Sequence, residues 1–331
     1  MKKIELWQFF TKNDVWLKAH IKEFIKNNMK KNNIVFDPFA WWWDLLNLGI
    51  SLWFKEYIWF DIDKTLKWEY NNSLENIPRI NNSFIITNPP YLTNYSAKRK
   101  WIIKNIEKYF NKYDDLYKLA LEKIFENNDY WIVIIPETFI NSSFPKNRLV
   151  SITVLEENPF LDTDTPVCVI CFDDKEKDLS QINIYKNEVF LWKLDFFESK
   201  RLKPKKNIKI SFNDLWWQIA LRAVDMTTKD KEISFMRKED LKYNLSWIKK
   251  SSRLITIINI ELTKENCIDN IIQEANNFLY NYRKETYDVL FSPFKWNTKE
   301  WRRRRRIDYK TARAILEEVI LSSNQLKIWI I

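Results

Sequence analysis

The first 175 residues alternate short, continuous apolar runs with longer stretches of helical spacing. Asn33-Ile34-Val35-Phe36, Tyr57-Ile58-Trp59-Phe60, Ser83-Phe84-Ile85-Ile86-Thr87 and residues 130–135 are the apolar runs. Runs of this kind predict strands covered on both faces. Between them, residues 44–52, 97–110 and 115–126 read as helices, the last presenting Leu116, Leu119, Ile124 and Phe125. Strands separated by helices predict an α/β fold with a doubly wound, mostly parallel sheet. Residues 150–155 and 167–172 have no helical stretch between them, which predicts an antiparallel hairpin at the sheet edge. After about residue 180 the alternation gives way to short mixed segments and Lys-rich loops. The expected organisation is a main domain over 1–180, a smaller domain over 181–295, and a basic tail with a final helix over 296–331.

Composition narrows the class. Apolar residues make up 46 % of the 331 residues and charged ones 30 %, with a formal net charge of +10. That balance is globular and excludes a wholly disordered or collagen-like chain. No apolar run reaches the roughly 18 residues of a membrane span. The start, Met1-Lys2-Lys3-Ile4-Glu5, lacks the apolar stretch of a signal peptide. Three cysteines are too few for a disulfide framework, so a reducing, cytoplasmic location is expected.

One feature is abnormal. Glycine occurs once, as Gly49, and tryptophan 17 times, where usual glycine usage of about 7 % would supply more than twenty. Tryptophans stand where glycine is expected: Trp41-Trp42-Trp43 after a strand ending in Asp37-Pro38, Trp131 opening an apolar strand, and Trp216-Trp217 beside a turn. An aromatic-rich core is one reading. The other is a codon reading: some bacterial codes read UGA as glycine and others as tryptophan. On that reading most of the 17 tryptophans are glycine in the native protein, and UGG codons at Trp41 to Trp43 would end the idea.

In an open α/β sheet, ligands bind beyond the carboxyl ends of the strands, and three predicted strand ends carry unusual residues. Asp37-Pro38-Phe39-Ala40-Trp41-Trp42-Trp43-Asp44 becomes, with glycines restored, a tight loop able to touch a cofactor. Asp61 lies 24 residues after Asp37, at a spacing suited to accepting hydrogen bonds from ribose hydroxyls. Asn88-Pro89-Pro90-Tyr91 is the strongest signal. Two prolines fix φ and remove two backbone donors, so the corner presents the Asn88 amide oxygen and the Pro89 carbonyl as paired acceptors. Such a pair suits an exocyclic NH₂, with Tyr91 as a flat wall for a planar ring.

Over roughly residues 5–175 the sequence resembles the S-adenosylmethionine-dependent adenine-N6 DNA methyltransferases of restriction–modification systems. Leu6-Trp7-Gln8-Phe9-Phe10-Thr11 is similar to their N-terminal cofactor motif, which places Phe10 and Thr11 at the cofactor. The loop from Asp37 resembles their glycine-rich cofactor loop, implying roles for Asp37, Pro38, Ala40, Trp41 and Trp43. The resemblance also implies Asp61 at the ribose, Asn72 and Ser73 at the cofactor adenine, and Asn88, Pro89, Pro90 and Tyr91 in catalysis. Phe160 would be a second aromatic face on the target base beside Tyr91. Residues 130–136 match a later strand motif, normally with glycine at position 131. The departures coincide with tryptophans: Trp7, Trp41, Trp42, Trp43 and Trp131 replace family glycines. The motif order is that of the gamma arrangement, whose C-terminal region recognises the DNA sequence. What the resemblance implies is a Rossmann-like methyltransferase fold, S-adenosylmethionine as cofactor and double-stranded DNA as partner. A cognate restriction endonuclease would be a separate protein.

Residues 299–313 hold eight basic and two acidic side chains. The run Arg302, Arg303, Arg304, Arg305 and Arg306, with Lys310, reads either as a solvated arm or as contacts to DNA phosphates. In a DNA-modifying enzyme the second reading is favoured. His20 reads as structural, and Cys168 and Cys171, on an apolar strand without a second pair, give no metal site. Two alternatives stay open: a methyltransferase acting on RNA or on a protein glutamine, and, if the tryptophans are genuine, a non-catalytic DNA-binding module.

Overall fold

The computed structural model describes residues 14–30, 33–40, 45, 52, 54–161, 163–205, 207–214, 218–228, 231–261, 267–300 and 302–328. They fall into two compact units, Met1–Asp195 and Phe196–Ile331.

The first unit is built on one nine-stranded sheet. Its strands are β1 (Ile34–Asp37), β2 (Glu56–Asp61), β3 (Glu69–Tyr70), β4 (Ser83–Thr87), β5 (Tyr130–Pro136), β6 (Leu149–Val154), β7 (Val167–Phe172), β8 (Asn183–Lys186) and β9 (Val189–Lys193). Their order is β3-β2-β1-β4-β5-β7-β6-β8-β9. The first five strands are parallel, and β7 runs antiparallel between β5 and β6. Chain order reverses at the β1–β4 boundary, where an open sheet of this kind leaves a crevice. The apolar runs explain this core. β4 and β7 are buried along their whole length, and residues such as Phe84, Ile85, Ile132, Ile134, Val169 and Ile170 are almost completely inaccessible. Each such side chain contributes roughly 1.5–3 kcal/mol of transfer free energy. Helix α1 (Ala19–Asn28) buries Ile21 and Ile25, and α2 (Leu116–Asn127) buries Leu116, Ala120, Leu121 and Ile124 along one face.

The expected strands and the antiparallel pair are present. Beyond that pair the sheet continues through β8, parallel to β6, and through β9. Residues 181–193 therefore belong to the first unit, and the division falls after Asp195. The helix expected over 97–110 is broken. A short helix, Asn94–Arg99, begins at Thr93, whose hydroxyl accepts the Ser96 N–H. It ends where Trp101 adopts φ +60°, with Trp101 N–H donating to Lys98 and Ile102 N–H to the Ala97 carbonyl. This paired-bond ending normally places glycine at the left-handed residue.

In the second unit, β10 (Ile210–Phe212), β11 (Ile219–Arg222), β12 (Ser234–Arg237) and β13 (Ile255–Ile260) form an antiparallel sheet ordered β10-β13-β11-β12. Alternate residues of β13 are buried, the pattern of a sheet with one covered face. Helices α3 (Ile268–Glu285) and α4 (Tyr309–Ile328) share its core, which includes Ile219, Leu221, Ile258, Leu279, Ile315 and Leu316. A hairpin of β14 (Ser292–Asn297) and β15 (Arg303–Arg306) completes the unit. Residues 296–331 are thus part of this unit and not a separate tail. Its hairpin has an irregular register, and within it Trp296 also adopts positive φ, +59°. Among the described residues no helix is long and apolar enough to cross a membrane.

Two tryptophans in the left-handed region are a conformational signature of their own. A bulky residue there is an outlier and costs roughly 1–2 kcal/mol relative to glycine. Trp101 is 90 % exposed, so replacing it removes little buried area. Trp101→Gly is expected to stabilise the protein by about 1 kcal/mol, read as a higher urea midpoint. An unchanged or lower midpoint would count against strain at this residue. Trp131 presents a different misfit. It is fully buried and stacked on Phe172 at 3.8 Å, and its indole N–H has no acceptor among the described residues.

Candidate active site

The parallel arrangement of β1 to β4 brings their carboxyl ends to one edge of the sheet. Asp37 closes β1 there and is 2 % exposed. Its Oδ1 accepts the Thr87 hydroxyl at 2.6 Å and the Phe39 N–H at 3.0 Å. The first bond ties the end of β1 to the last residue of β4, directly before Asn88. Pro38 and Ala40 are buried in the turn that follows, and Ala40 N–H donates to the Phe60 carbonyl of β2. Burial raises the Asp37 carboxyl to about 7. The Thr87 and Phe39 bonds oppose that rise, and the Asp61 charge adds to it.

Asp61 ends β2, is also 2 % exposed, and accepts the Asp63 N–H at 2.6 Å. Its carbonyl accepts the Asn71 N–H, which holds the segment after β3 against it. In that segment the Asn72 amide donates to the Tyr109 hydroxyl at 2.8 Å, and the buried Ser73 hydroxyl accepts from Asn71.

Asn88, Pro89, Pro90 and Tyr91 are all buried immediately beyond β4. The Tyr91 hydroxyl bonds both the Asn88 Oδ1 and the Ile134 carbonyl of β5, the latter at 2.6 Å. Asn88 and Tyr91 are therefore locked to each other and to the neighbouring strand. Burial holds the Tyr91 hydroxyl in its neutral, donating form. Phe160 lies edge-on to Tyr91, ring centres 6.2 Å apart. Asp115, the residue before α2, accepts the Leu92 N–H at 3.1 Å and fixes the exit of the corner. Burial raises its carboxyl to about 7, against backbone hydrogen bonds that lower it.

Asp37, Asp61, Asn72, Ser73, Asn88 and Tyr91 thus lie on successive loops at one edge of one sheet, and Phe160 joins Tyr91. Phe10, Thr11, Trp41 and Trp43 lie outside the described residues. Sequence reasoning missed Thr87, Tyr109 and Asp115. Thr87 was legible as the polar last residue of an apolar strand. Asp115 carries no such signal, being remarkable only for its partner 23 residues away. His20 is remote from this group, with Nε2 2.7 Å from the Thr153 hydroxyl and its ring stacked on Tyr185. Among the described residues no three His, Cys, Asp or Glu side chains are grouped to hold a metal ion.

The arginine run does not form a solvated arm. Arg303, Arg304 and Arg305 sit in β15 with exposures of 4, 6 and 1 %. Arg304 Nε donates to the Asp225 carbonyl at 2.6 Å, and the Arg305 N–H donates to the Asp225 carboxylate at 3.0 Å. Arg302 is paired with Glu232. Arg303, Arg304 and Arg305 are buried inside the unit and Arg302 is ion-paired, which corrects the expectation that the whole run contacts phosphates. Arg306 is half-buried and Lys310 exposed.

No protein-family model and no curated protein matches the sequence. Solved structures do resemble it. A Listeria monocytogenes protein described as a class I S-adenosylmethionine-dependent methyltransferase aligns at 12 % identity and TM-score 0.40, covering 57 % of this chain and 69 % of its own. The methyltransferase subunit of a type I restriction-modification system from Streptococcus thermophilus aligns at 13 % and 0.39, over 54 % of this chain. The type IIG restriction endonuclease BpuSI aligns at 17 % and 0.39, again over 54 % of this chain. The chain spans 47 % of the Streptococcus protein and 27 % of BpuSI.

Proposed function

We propose that the protein is an S-adenosylmethionine-dependent methyltransferase that modifies the N6 amine of adenine in double-stranded DNA. The observation that carries this reading is the Thr87–Asp37 bond. It couples the Asn-Pro-Pro-Tyr corner to the carboxylate-bearing crevice at the point where strand order reverses. Two buried carboxylates at adjacent strand ends suit a cofactor with ribose hydroxyls and cationic groups, so the residues present fit S-adenosylmethionine. Asp61 would accept from the ribose, Asn72 and Ser73 would line the adenine, and Asp37, Pro38 and Ala40 would face the remainder. The cofactor supplies an electrophilic methyl group.

The chain's own part is binding and orientation. Flipping a base out of the duplex costs a few kcal/mol, which Tyr91 and Phe160 offset by enclosing it. The Asn88 amide oxygen and Pro89 carbonyl accept from the amine and stabilise the positive charge that grows on it. Pro90 keeps the corner rigid. Positioning and preorganised acceptors are the main sources of rate here. The second unit would read the DNA sequence, within a restriction–modification system whose nuclease is a separate protein.

Transfer of radiolabelled methyl into double-stranded DNA, with RNA and protein as competing acceptors, tests this. Label in adenine N6 is the expected result, and label confined to RNA or protein overturns it. The reading includes glycine at most of the 17 tryptophan positions. The left-handed Trp101 and Trp296 and the buried Trp131 N–H, without an acceptor among the described residues, support that part. Cofactor titration is expected to give saturable binding with glycine restored at positions 7, 41, 42, 43 and 131, and none with the tryptophans. Equal binding by both chains would remove the need for recoding.

A further inference from the structure

The second unit has a cavity of about 280 Å³ lined by Arg253, Arg306, Ile307, Asp308, Tyr309 and Lys310. Three of these side chains are cations. The guanidinium groups of Arg253 and Arg306 have no hydrogen bond or ion pair among the described residues, whereas their neighbours Arg302, Arg304 and Arg313 are each bonded. Half-burial and then the nearby Arg253 charge oppose the charged form of Arg306, and the Asp308 carboxylate favours it. Arg306 is half-buried between exposed Arg253 and Lys310, so the lining sets three positive charges against the one carboxylate of Asp308, a surplus that an anion would complete. The one carboxylate in the lining, Asp308, is engaged with the start of α4, where its Oδ1 accepts the Thr311 N–H at 2.7 Å.

The gathering is held in place by its surroundings. Residues 238–254 form the loop between β12 and β13, and its last part is Lys249-Lys250-Ser251-Ser252-Arg253. The Ser252 carbonyl accepts from the Tyr309 hydroxyl and from the Asn213 amide, the second at 3.1 Å. Asn213 also donates to the Tyr309 hydroxyl at 2.9 Å, and Tyr309 stacks on Phe212 with ring centres 4.6 Å apart. This network fastens the loop end to the first residue of α4, which sets Arg253 beside Arg306 and Lys310. Exposed Lys249 and Lys250 continue the same basic stretch.

We propose that Arg253, Arg306 and Lys310 form a binding site for a backbone phosphate of double-stranded DNA. The site rests on the reading of the protein as a DNA methyltransferase, since a linear polyanion is what would use both the cavity and the lysines leading to it. Guanidinium groups suit this role because they donate in pairs to phosphate oxygens. Two of the six basic residues picked out by the sequence thus recover a phosphate role, joined by a third from a distant loop.

The test is duplex binding by the full chain over a salt series, for wild type and for Arg253→Gln, Arg306→Gln and the double variant. Each phosphate contact contributes close to one unit of slope in log affinity against log salt. The double variant is expected to lose about one unit and to bind roughly tenfold more weakly near 0.1 M salt. Arg253→Lys keeps the charge and is expected to retain most of the slope. A double variant with the wild-type slope overturns the site, as does a wild type that binds no duplex. Inorganic phosphate at matched ionic strength is the control: saturable binding that leaves the duplex slope untouched would make this a small-anion site and overturn the proposal. A glycine-restored chain that binds duplex through these residues yet transfers no methyl to it would instead sink the catalytic reading and leave the site standing.

Discussion

Asn88→Ala is expected to lower the single-turnover rate of methyl transfer by roughly a hundred- to a thousandfold while leaving cofactor affinity within about twofold. That size matches the loss of one preorganised polar group at a developing charge, about 3–4 kcal/mol. The fold should survive the change. The Asn88 oxygen is bonded by the Tyr91 hydroxyl, which retains the Ile134 carbonyl at 2.6 Å when that oxygen is removed. A defect in rate without a defect in binding separates loss of an acceptor from collapse of the corner. The glycine-restored chain is the one to measure, with thermal unfolding as a control. A variant within threefold of its parent would show that Asn88 does not face the reacting amine.

The second large effect is a dependence of cofactor affinity on pH. Burial holds the ligand-free Asp37 carboxyl at about 7, so at pH 6 most molecules carry it protonated. A ligand bearing a sulfonium and an ammonium favours the ionised form. Affinity is therefore expected to climb toward tenfold per unit below pH 7 and to level off above it. Asp37→Asn should flatten this profile and weaken binding at pH 8. Titration calorimetry of the glycine-restored chain at pH 6 and 8 reads both, and a flat profile in that parent would exclude Asp37 from the cofactor's charged end. The same group has an opposite consequence for the ligand-free fold. Its native value lies above the ordinary 3.8, so the stability it contributes is present below pH 4 and is lost as pH rises through 7. At about 1.4 kcal/mol per unit this amounts to a few kcal/mol. Asp115 shares the direction and the window, so Asp37→Asn removes only part of the slope.

Much of the first unit is legible because its strands are buried on both faces, which leaves uninterrupted apolar runs such as Ser83–Thr87. The corner after β4 is legible for a related reason: two prolines and an asparagine at the end of such a run have few structural uses. The contacts that assemble the site are not. Thr87 meets Asp37 across 50 positions of sequence, and nothing local announces that pairing. Strands β8 and β9 are short and partly exposed, so they lack the apolar signature and read as the start of a second domain. Five consecutive arginines look like a solvated arm because charge alone conveys no alternation. Only the fold reveals that Asp225, some eighty residues earlier, shares three hydrogen bonds with Arg304 and Arg305.

Asp225 is 1 % exposed and accepts two bonds at 2.8 Å from Arg283 of α3, one from the Ile233 N–H and one from the Arg305 N–H. Its own N–H and carbonyl bind Arg305 and Arg304 of β15. A helix, a hairpin and a loop therefore converge on a single amino acid, like spokes on a hub. Damage at such a junction spreads to every spoke together, so this half of the molecule should melt as a whole instead of fraying from its margins.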